Sequence, residues 1–181
     1  MKVSGGTGRG RKLKAPGGSR VRPTSDKVKQ ALFNILGDRP EGAVFLDLFA
    51  GAGGIGIEAI SRGAAQAVFV DASKDSIRLV RDNLTMTGFE ARAQVVQADA
   101  LAFLRRSGGS FDIVFLDPPY ADDLLPLLEA VAAAGILKPE AIVVAEHFKK
   151  QPSPQSAGPL ALYREATYGD TVLAFYTFSS Q

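Results

Sequence analysis

The chain has 181 residues and a formal net charge of only +2, but the charge is unevenly distributed along the sequence. Residues 1–30 carry nine basic side chains and one acidic side chain, a net of +8, whereas the other 151 residues carry 12 basic and 18 acidic side chains, a net of −6. The absence of cysteine excludes disulfides and thiolate metal sites, and a single histidine leaves almost no material for zinc sites or Ser-His-Asp triads.

A basic segment on an acidic body indicates a polyanionic partner, with nucleic acid the first candidate and an anionic membrane the second. No apolar run approaches the roughly 18 residues of a transmembrane helix, and the N-terminus lacks the apolar core of a secretory signal. We therefore expect a cytoplasmic protein with no metal site and no membrane contact. Two parts are predicted, a mobile basic arm over residues 1–21 and one domain over residues 22–181.

The first predicted element after the arm is a helix. An apolar stripe with helical spacing runs through Val28–Leu36, a cap is expected at Thr24 or Ser25, and Gly37 should end the helix. Strands and helices then alternate. Continuous apolar runs predict buried parallel strands over Val44–Phe49, Ala67–Asp71, Ala93–Gln97, Asp112–Asp117 and Ile142–Glu146. The intervening segments predict helices over Ile55–Arg62, Lys74–Thr87, Ala100–Arg106 and Asp122–Ala134.

The C-terminal part follows a different pattern. Gln151–Pro159 contains three prolines and predicts a loop, after which Leu160–Glu165 and Thr171–Phe178 predict strands joined by a turn at Tyr168-Gly169-Asp170. Repeated strand–helix units followed by a hairpin predict an α/β domain with a Rossmann-like, mostly parallel sheet that ends in an antiparallel hairpin.

The segment between the first predicted strand and its helix is rich in glycine. Gly51, Gly53 and Gly56 match G-x-G-x-x-G, a pattern that allows a ligand to approach the backbone and the helix N–H groups. Asp71 ends the next strand, 20 residues after Gly51, where a carboxylate can accept hydrogen bonds from ribose hydroxyls. NAD, FAD and S-adenosylmethionine sites share this pattern. Asp47 favours S-adenosylmethionine, because an acid there suits an ammonium group and would repel a pyrophosphate.

The fourth predicted strand ends in Asp117-Pro118-Pro119-Tyr120, which should face the glycine loop if this strand lies beside the first. The prolines donate no N–H, so their carbonyls are available as acceptors. Asp117 is a second acceptor, and Tyr120 offers a ring for stacking. Two acceptors and a ring suit an exocyclic amino group on a planar base, with catalysis resting on positioning and electrostatics.

Asp-Pro-Pro-Tyr resembles motif IV of the amino-methyltransferases. The chain as a whole resembles the RsmD-type bacterial 16S rRNA guanine-N2 methyltransferases, on motifs that occur in order along nearly its full length. These are Gly10-Arg11-Lys12-Leu13, Arg22-Pro23-Thr24-Ser25-Asp26, Asp47-Leu48-Phe49-Ala50-Gly51, Glu58-Ala59-Ile60-Ser61-Arg62-Gly63-Ala64, Asp117-Pro118-Pro119-Tyr120 and Tyr168-Gly169-Asp170-Thr171.

The resemblance implies a Rossmann-like methyltransferase fold, S-adenosyl-L-methionine as donor and guanine 966 of 16S rRNA as acceptor. It also implies residue roles. Asp47, Phe49, Gly51 and Gly53 would line the methionine half of the donor, Asp71 would hold the ribose, and Asp99 would accept from the adenine amino group beside Ala100. The catalytic set would be Asp117, Pro118, Pro119 and Tyr120, which would hold the target guanine.

The arm and the first helix supply further candidates. We expect Arg9, Arg11, Lys12, Lys14, Arg20 and Arg22 to bind RNA phosphates, and Thr24 to close over the donor. The partner would be 16S rRNA within a small ribosomal subunit or its assembly intermediate, bound by a monomer. Asn83 is expected to be a capping or solvated side chain, and His147 is not expected to act as a base.

Three other functions remain open. An adenine-N6 DNA or RNA methyltransferase also uses Asp-Pro-Pro-Tyr, although 181 residues leave no room for a separate DNA-recognition domain. An NAD-dependent oxidoreductase would leave Asp47 and the Pro-Pro-Tyr acceptors without a role. A non-catalytic RNA-binding factor with a methyltransferase fold is disfavoured by the intact motifs.

Overall fold

The computed structural model describes residues 1–17, 25–106 and 108–179 of the chain. The helices are α1 (Asp26–Leu36), α2 (Gly54–Ser61), α3 (Lys74–Thr87), α4 (Ala100–Arg106) and α5 (Leu124–Ala133). The strands are β1 (Val44–Leu48), β2 (Gln66–Asp71), β3 (Ala93–Gln97), β4 (Phe111–Leu116), β5 (Leu137–Phe148), β6 (Ser156–Ala157), β7 (Leu160–Tyr168) and β8 (Thr171–Phe178). None of the helices in these ranges is both long and apolar enough to cross a membrane.

The strands form one sheet in the order β3-β2-β1-β4-β5-β8-β7-β6. Strands β1 to β5 pair in parallel, and β8, β7 and β6 add antiparallel pairs at one edge. The predicted fold class is therefore confirmed. Because β1 pairs with both β2 and β4, the chain reverses its direction of travel across the sheet at β1. In open α/β sheets, ligands bind at such a reversal, beyond the carboxyl ends of the strands.

The core has a layer on each face of the sheet. Apolar residues of α1, α2 and α3 pack on one face, with Leu32, Ile57 and Val80 among them. Apolar residues of α4 and α5 pack on the other, with Leu104 and Leu128 among them. Strands β1, β2, β4 and the second half of β5 are buried between these layers, which explains why their sequences are continuous apolar runs. The expectation of a buried strand is wrong for β3, which contains no fully buried residue.

Helix α1 has the predicted ends. Ser25 caps it by accepting a hydrogen bond from the Val28 N–H at 3.2 Å, and Gly37 ends it with φ of 58°. The sequence pattern allows either Thr24 or Ser25 as the cap, and Ser25 is the cap in the structure.

The C-terminal region differs from its prediction in four details. Strand β5 begins at Leu137 and not at Ile142, and β7 continues to Tyr168 and not only to Glu165. Strand β5 extends to Phe148 because His147 and Phe148 pair with Val172 and Thr171 of β8. The predicted loop over Gln151–Pro159 contains the two-residue strand β6, which pairs with Leu160 and Ala161. The turn at Gly169-Asp170 is where it was predicted, between β7 and β8.

Candidate functional site

The loop between β1 and α2 brings backbone close to the carboxyl edge of the sheet. Phe49, with φ of 62°, and Gly51, with φ of 57°, lie in the left-handed region. This conformation costs a non-glycine residue such as Phe49 about 1–2 kcal/mol. A Cβ atom on Gly56 would lie 2.3 Å from the Phe69 ring of β2. The missing side chain at Gly56 therefore lets α2 pack tightly on the sheet, with its N-terminus toward the strand ends.

Asp47 lies in β1 beneath this helix terminus and is 1% exposed. Its Oδ2 accepts a hydrogen bond from the Gly56 N–H at 2.9 Å. Burial is the main cause that raises the pKa of Asp47 to about 8. The Gly56 hydrogen bond acts in the opposite direction, and the nearby Asp71 charge adds a smaller upward contribution. A cationic ligand beside this buried carboxyl group would stabilise its charged form and lower its pKa.

Two further acids lie at the carboxyl ends of strands: Asp71 is the last residue of β2, and Asp99 lies two residues after β3. The Asp71 carboxylate accepts hydrogen bonds from the Gly51 N–H at 2.9 Å and from the Ser73 N–H at 2.8 Å. Asp99 accepts a hydrogen bond from the Ala102 N–H at 3.0 Å in the first turn of α4. Backbone donors therefore fix the orientation of both carboxylates before a ligand binds.

The Asp-Pro-Pro-Tyr segment follows β4, which pairs with β1. Asp117 is half-buried and Pro118 is buried, whereas Pro119 and Tyr120 are exposed, Tyr120 by 57%. The Tyr120 ring contacts Phe148 with a centroid separation of 5.8 Å, and Gln151 Nε2 donates a hydrogen bond to the Tyr120 carbonyl at 3.0 Å. These contacts hold an exposed aromatic ring at the mouth of the site.

A single cleft of about 660 Å³ joins these elements. It brings together most of the predicted site residues, namely Asp47, Phe49, Gly51, Asp71, Asp99, Asp117, Pro118, Pro119 and Tyr120. Gly53 and Ala100 are buried and do not line the cleft. Thr24 lies outside the described residues.

The N-terminal segment is a docked hairpin in residues 1–17, so the expectation of a mobile arm is wrong for them. The Val3 N–H donates a hydrogen bond to the Arg11 carbonyl at 2.9 Å, and the backbones of Lys2 and Lys12 form an antiparallel β-bridge. Val3 and Leu13 are buried in the core layer formed with α1 to α3. Met1 and Pro16 line the cleft. The hairpin is therefore a wall of the candidate site.

Buried polar side chains anchor the hairpin, and two of them, Glu58 and Asn83, each make several contacts with its backbone. Glu58 of α2 is 0% exposed and accepts hydrogen bonds from the Ser4 and Gly5 N–H groups, each at 2.9 Å. The same carboxylate pairs with Arg62 at 2.9 Å and with the buried Lys29 at 3.4 Å. The two cations offset the cost of burying the Glu58 charge.

Asn83 of α3 is the second anchor, and the expectation of a capping or solvated side chain is wrong. It accepts a hydrogen bond from the Lys14 N–H at 2.7 Å and donates to the Lys14 carbonyl at 3.0 Å and the Ala52 carbonyl at 2.9 Å. Ala52 belongs to the glycine loop. One buried amide therefore links the hairpin directly to the loop that borders the cleft.

The predicted RNA-binding residues fall into three groups. Arg9 and Lys12 are exposed on the hairpin. Arg11 donates a hydrogen bond to the Thr87 carbonyl, and Lys14 pairs with Asp82 at 2.9 Å, so both also hold the hairpin on α3. Arg20 and Arg22 lie outside the described residues.

Several residues that line the cleft were not predicted from the sequence, above all Lys29 of α1 and Glu146 of β5. Glu146 is 5% exposed. Its neighbour His147 does not line the cleft, and its Nε2 lies 2.8 Å from Ser153 Oγ. Successive residues of a strand face opposite sides of the sheet, and this alternation is the sequence feature that distinguishes the two residues. Within the described ranges, no cluster of three metal-ligating side chains occurs.

Comparisons with known proteins match the chain over its whole length. A family model described as "Conserved hypothetical protein 95" matches residues 1–177. The Escherichia coli "Ribosomal RNA small subunit methyltransferase D" is 34% identical over 183 residues, covering 100% of this chain and 91% of that protein. The Bacillus subtilis protein YlbH is 41% identical over 181 residues, covering 97% of this chain and 98% of that protein. The solved structure of the Escherichia coli protein yhhF superposes with a TM-score of 0.88 at 35% identity, covering 100% and 99% of the two chains.

Proposed function

The chain belongs to the family of the ribosomal RNA small subunit methyltransferase D proteins, and from this premise we propose that it methylates the exocyclic N2 amine of a guanine in 16S rRNA. S-adenosyl-L-methionine would be the donor. The observation that carries the proposal is a single cleft lined by the glycine loop, by the acids Asp47, Asp71 and Asp99, and by the Asp-Pro-Pro-Tyr segment.

The chemistry of the cleft suits this donor. Asp47 would bind the donor's ammonium group, and the oriented Asp71 carboxylate would accept from the ribose hydroxyls. Asp99 would accept from the adenine amino group. The donor supplies a methyl group on a positively charged sulfur, and its transfer leaves a neutral thioether while the target nitrogen loses one proton.

The residues after β4 would position the target amine. Asp117 and the Pro118 carbonyl would accept its two N–H bonds, which directs the nitrogen lone pair away from both acceptors and toward the donor. Tyr120 would stack on the base, a contact that contributes roughly 1–3 kcal/mol in nucleic-acid complexes and offsets the cost of extruding the base. Positioning of the amine is the main catalytic device in this proposal.

The basic hairpin would contact the RNA. Arg9 and Lys12 are exposed on the same hairpin whose Met1 and Pro16 border the cleft. Phosphates beside the extruded guanine would therefore meet positive charge next to the site. We expect a monomer that acts in the cytoplasm on the small ribosomal subunit or its assembly intermediate.

The decisive experiment uses small ribosomal subunits that lack the modification, the full-length protein and radiolabelled S-adenosylmethionine. After digestion, the label should appear in N2-methylguanosine at a single site. Label in N6-methyladenosine would instead support the adenine-N6 alternative, which shares the Asp-Pro-Pro-Tyr segment. Absence of label, together with donor binding in calorimetry, would support the non-catalytic alternative.

A further inference from the structure

Glu146 lies next to Asp117 at the carboxyl edge of the sheet. Strands β4 and β5 are parallel, and the last pair in their register is Leu116 with Ala145. Asp117 and Glu146 are the next residues on the two strands. Asp117 directly follows β4, whereas Glu146 remains in β5 and pairs with Leu173 of β8. Both line the cleft.

The two acids also share a face of the sheet with Asp47. Phe45, Phe115 and Val144 pack in the core layer formed with α1 to α3. Side chains alternate along a strand, so the residues two positions later, Asp47, Asp117 and Glu146, are on that same side. The acceptor end of the cleft therefore contains two neighbouring carboxyl groups.

Burial distinguishes Glu146 from a surface acid. It is 5% exposed, and its open side is the cleft. A carboxylate has about four lone-pair sites, so it can accept a hydrogen bond from a ligand while it keeps its protein contacts. Hydrogen bonds from a neutral donor to a charged acceptor are the stronger class, particularly where water is excluded.

We propose that Glu146 determines the choice of base by accepting a hydrogen bond from the N1–H of the target guanine. This inference rests on the proposed function. The Watson–Crick edge of guanine carries a donor at N1 beside the donor amine at N2, so two adjacent carboxylates match two adjacent donors. Adenine carries an acceptor at N1, and a carboxylate there would repel it. Asp117 would then hold the reacting amine, and Glu146 would identify the ring.

The test replaces the target guanosine in reconstituted small subunits with 2-aminopurine riboside, which keeps the N2 amine but has an acceptor at N1. The wild-type protein should methylate guanine roughly 10- to 100-fold faster than 2-aminopurine. In Glu146→Gln this ratio should fall toward one, because the glutamine amide can donate to the unprotonated N1. Equal slowing of both substrates, with the wild-type ratio kept, would overturn the proposal.

Three controls separate the possible explanations. Glu146→Asp keeps the charge and should keep a preference for guanine, which a purely structural role would not predict. Glu140→Gln makes the same substitution at an exposed position of the same strand and should leave the ratio unchanged. Donor affinity measured by calorimetry shows that each variant is folded. If the wild-type protein forms no N2-methylguanosine, the proposed function itself fails, and this result is distinct from an unchanged ratio.

Discussion

The two halves of the cleft differ in how completely the protein organises them. One half lies at the carboxyl ends of β1, β2 and β3. There, Asp47, Asp71 and Asp99 accept hydrogen bonds from backbone N–H groups at 2.8–3.0 Å. In the half beside β4, Pro119 and Tyr120 are exposed. The first half can bind a small donor with little rearrangement, whereas an RNA base would complete the second. Substitutions in the two halves should therefore affect different kinetic constants.

The largest effect is expected for Asp117→Ala. In the proposed mechanism Asp117 positions the reacting amine, so its loss should lower the single-turnover rate by about 100- to 1,000-fold, the range observed for loss of one preorganised catalytic hydrogen bond. Donor affinity in calorimetry should stay within about twofold, because Asp117 lies in the other half of the cleft. Glu129→Ala, on the exposed side of α5, is the control. Full turnover by Asp117→Ala would remove this residue from the mechanism.

The second prediction concerns the link between the hairpin and the donor half. Asn83→Ala leaves the buried Ala52 carbonyl and the Lys14 backbone without their hydrogen bonds to Asn83, and we expect a loss of about 2–4 kcal/mol in the free energy of unfolding. Donor affinity should fall as well, because the glycine loop loses its tie to α3. Denaturant unfolding and calorimetry measure the two effects.

Asn34→Ala, at an exposed position of α1, should change stability by no more than about 0.5 kcal/mol. A similar small change for Asn83→Ala would contradict the anchoring role. Unaltered donor binding in a destabilised Asn83→Ala protein would instead show that the hairpin and the cleft are independent.

Structural features that depend on residues close together in the sequence were predictable, whereas features that depend on contacts between distant residues were not. Strands and helices follow from local apolar patterns, and a parallel sheet brings its strand ends to one edge. Of the strand order, only the adjacency of the first and fourth strands was expected, and the structure confirms it. The hairpin was not predictable in this way. Its docking depends on Glu58 and Asn83, which lie more than 50 residues from Ser4 and Lys14 in sequence. Its composition, rich in Gly, Lys and Arg, is also that of a mobile tail.

Glu146 was missed for a related reason. A strand prediction gives the approximate end of β5 but does not determine which of its last residues faces the cleft. The alternation along the strand settles that point only when the register with β4 is known.

The third prediction uses pH to test donor binding in the half of the cleft that contains Asp47. The pKa of Asp47 is about 8 in the ligand-free protein, and a donor ammonium group would require the charged form. The apparent dissociation constant for S-adenosylmethionine should therefore rise about 25-fold between pH 7.5 and pH 6, a range in which an ammonium group keeps most of its charge. Calorimetry in matched buffers measures this change. Binding that is independent of pH in this range would contradict a charged Asp47 in the complex.

Deprotonation of Asp47 favours donor binding, but it destabilises the ligand-free fold. Between the ordinary pKa of 3.8 and about 8, the folded protein holds a proton that the unfolded chain releases. The Asp47 contribution therefore lowers the stability of the ligand-free protein as pH rises through this window. Asp47→Asn should remove this slope, raise the melting temperature at pH 8 and weaken donor binding.

The smallest effect is expected for the exposed charges of the hairpin. Deleting the hairpin would also remove Met1 and Pro16 from the cleft, so point substitutions separate RNA binding from donor binding more cleanly. In Arg9→Ala/Lys12→Ala the slope of log K for RNA against log salt should become shallower by about 1.4, from roughly 0.7 for each lost phosphate contact. Arg105→Ala/Arg106→Ala removes the same charge from the exposed end of α4, on the opposite face of the sheet. If this control pair shifts the slope equally, the hairpin acts only through net charge. A shift confined to the Arg9 and Lys12 pair, with donor affinity unchanged, would place the RNA on the hairpin side of the cleft.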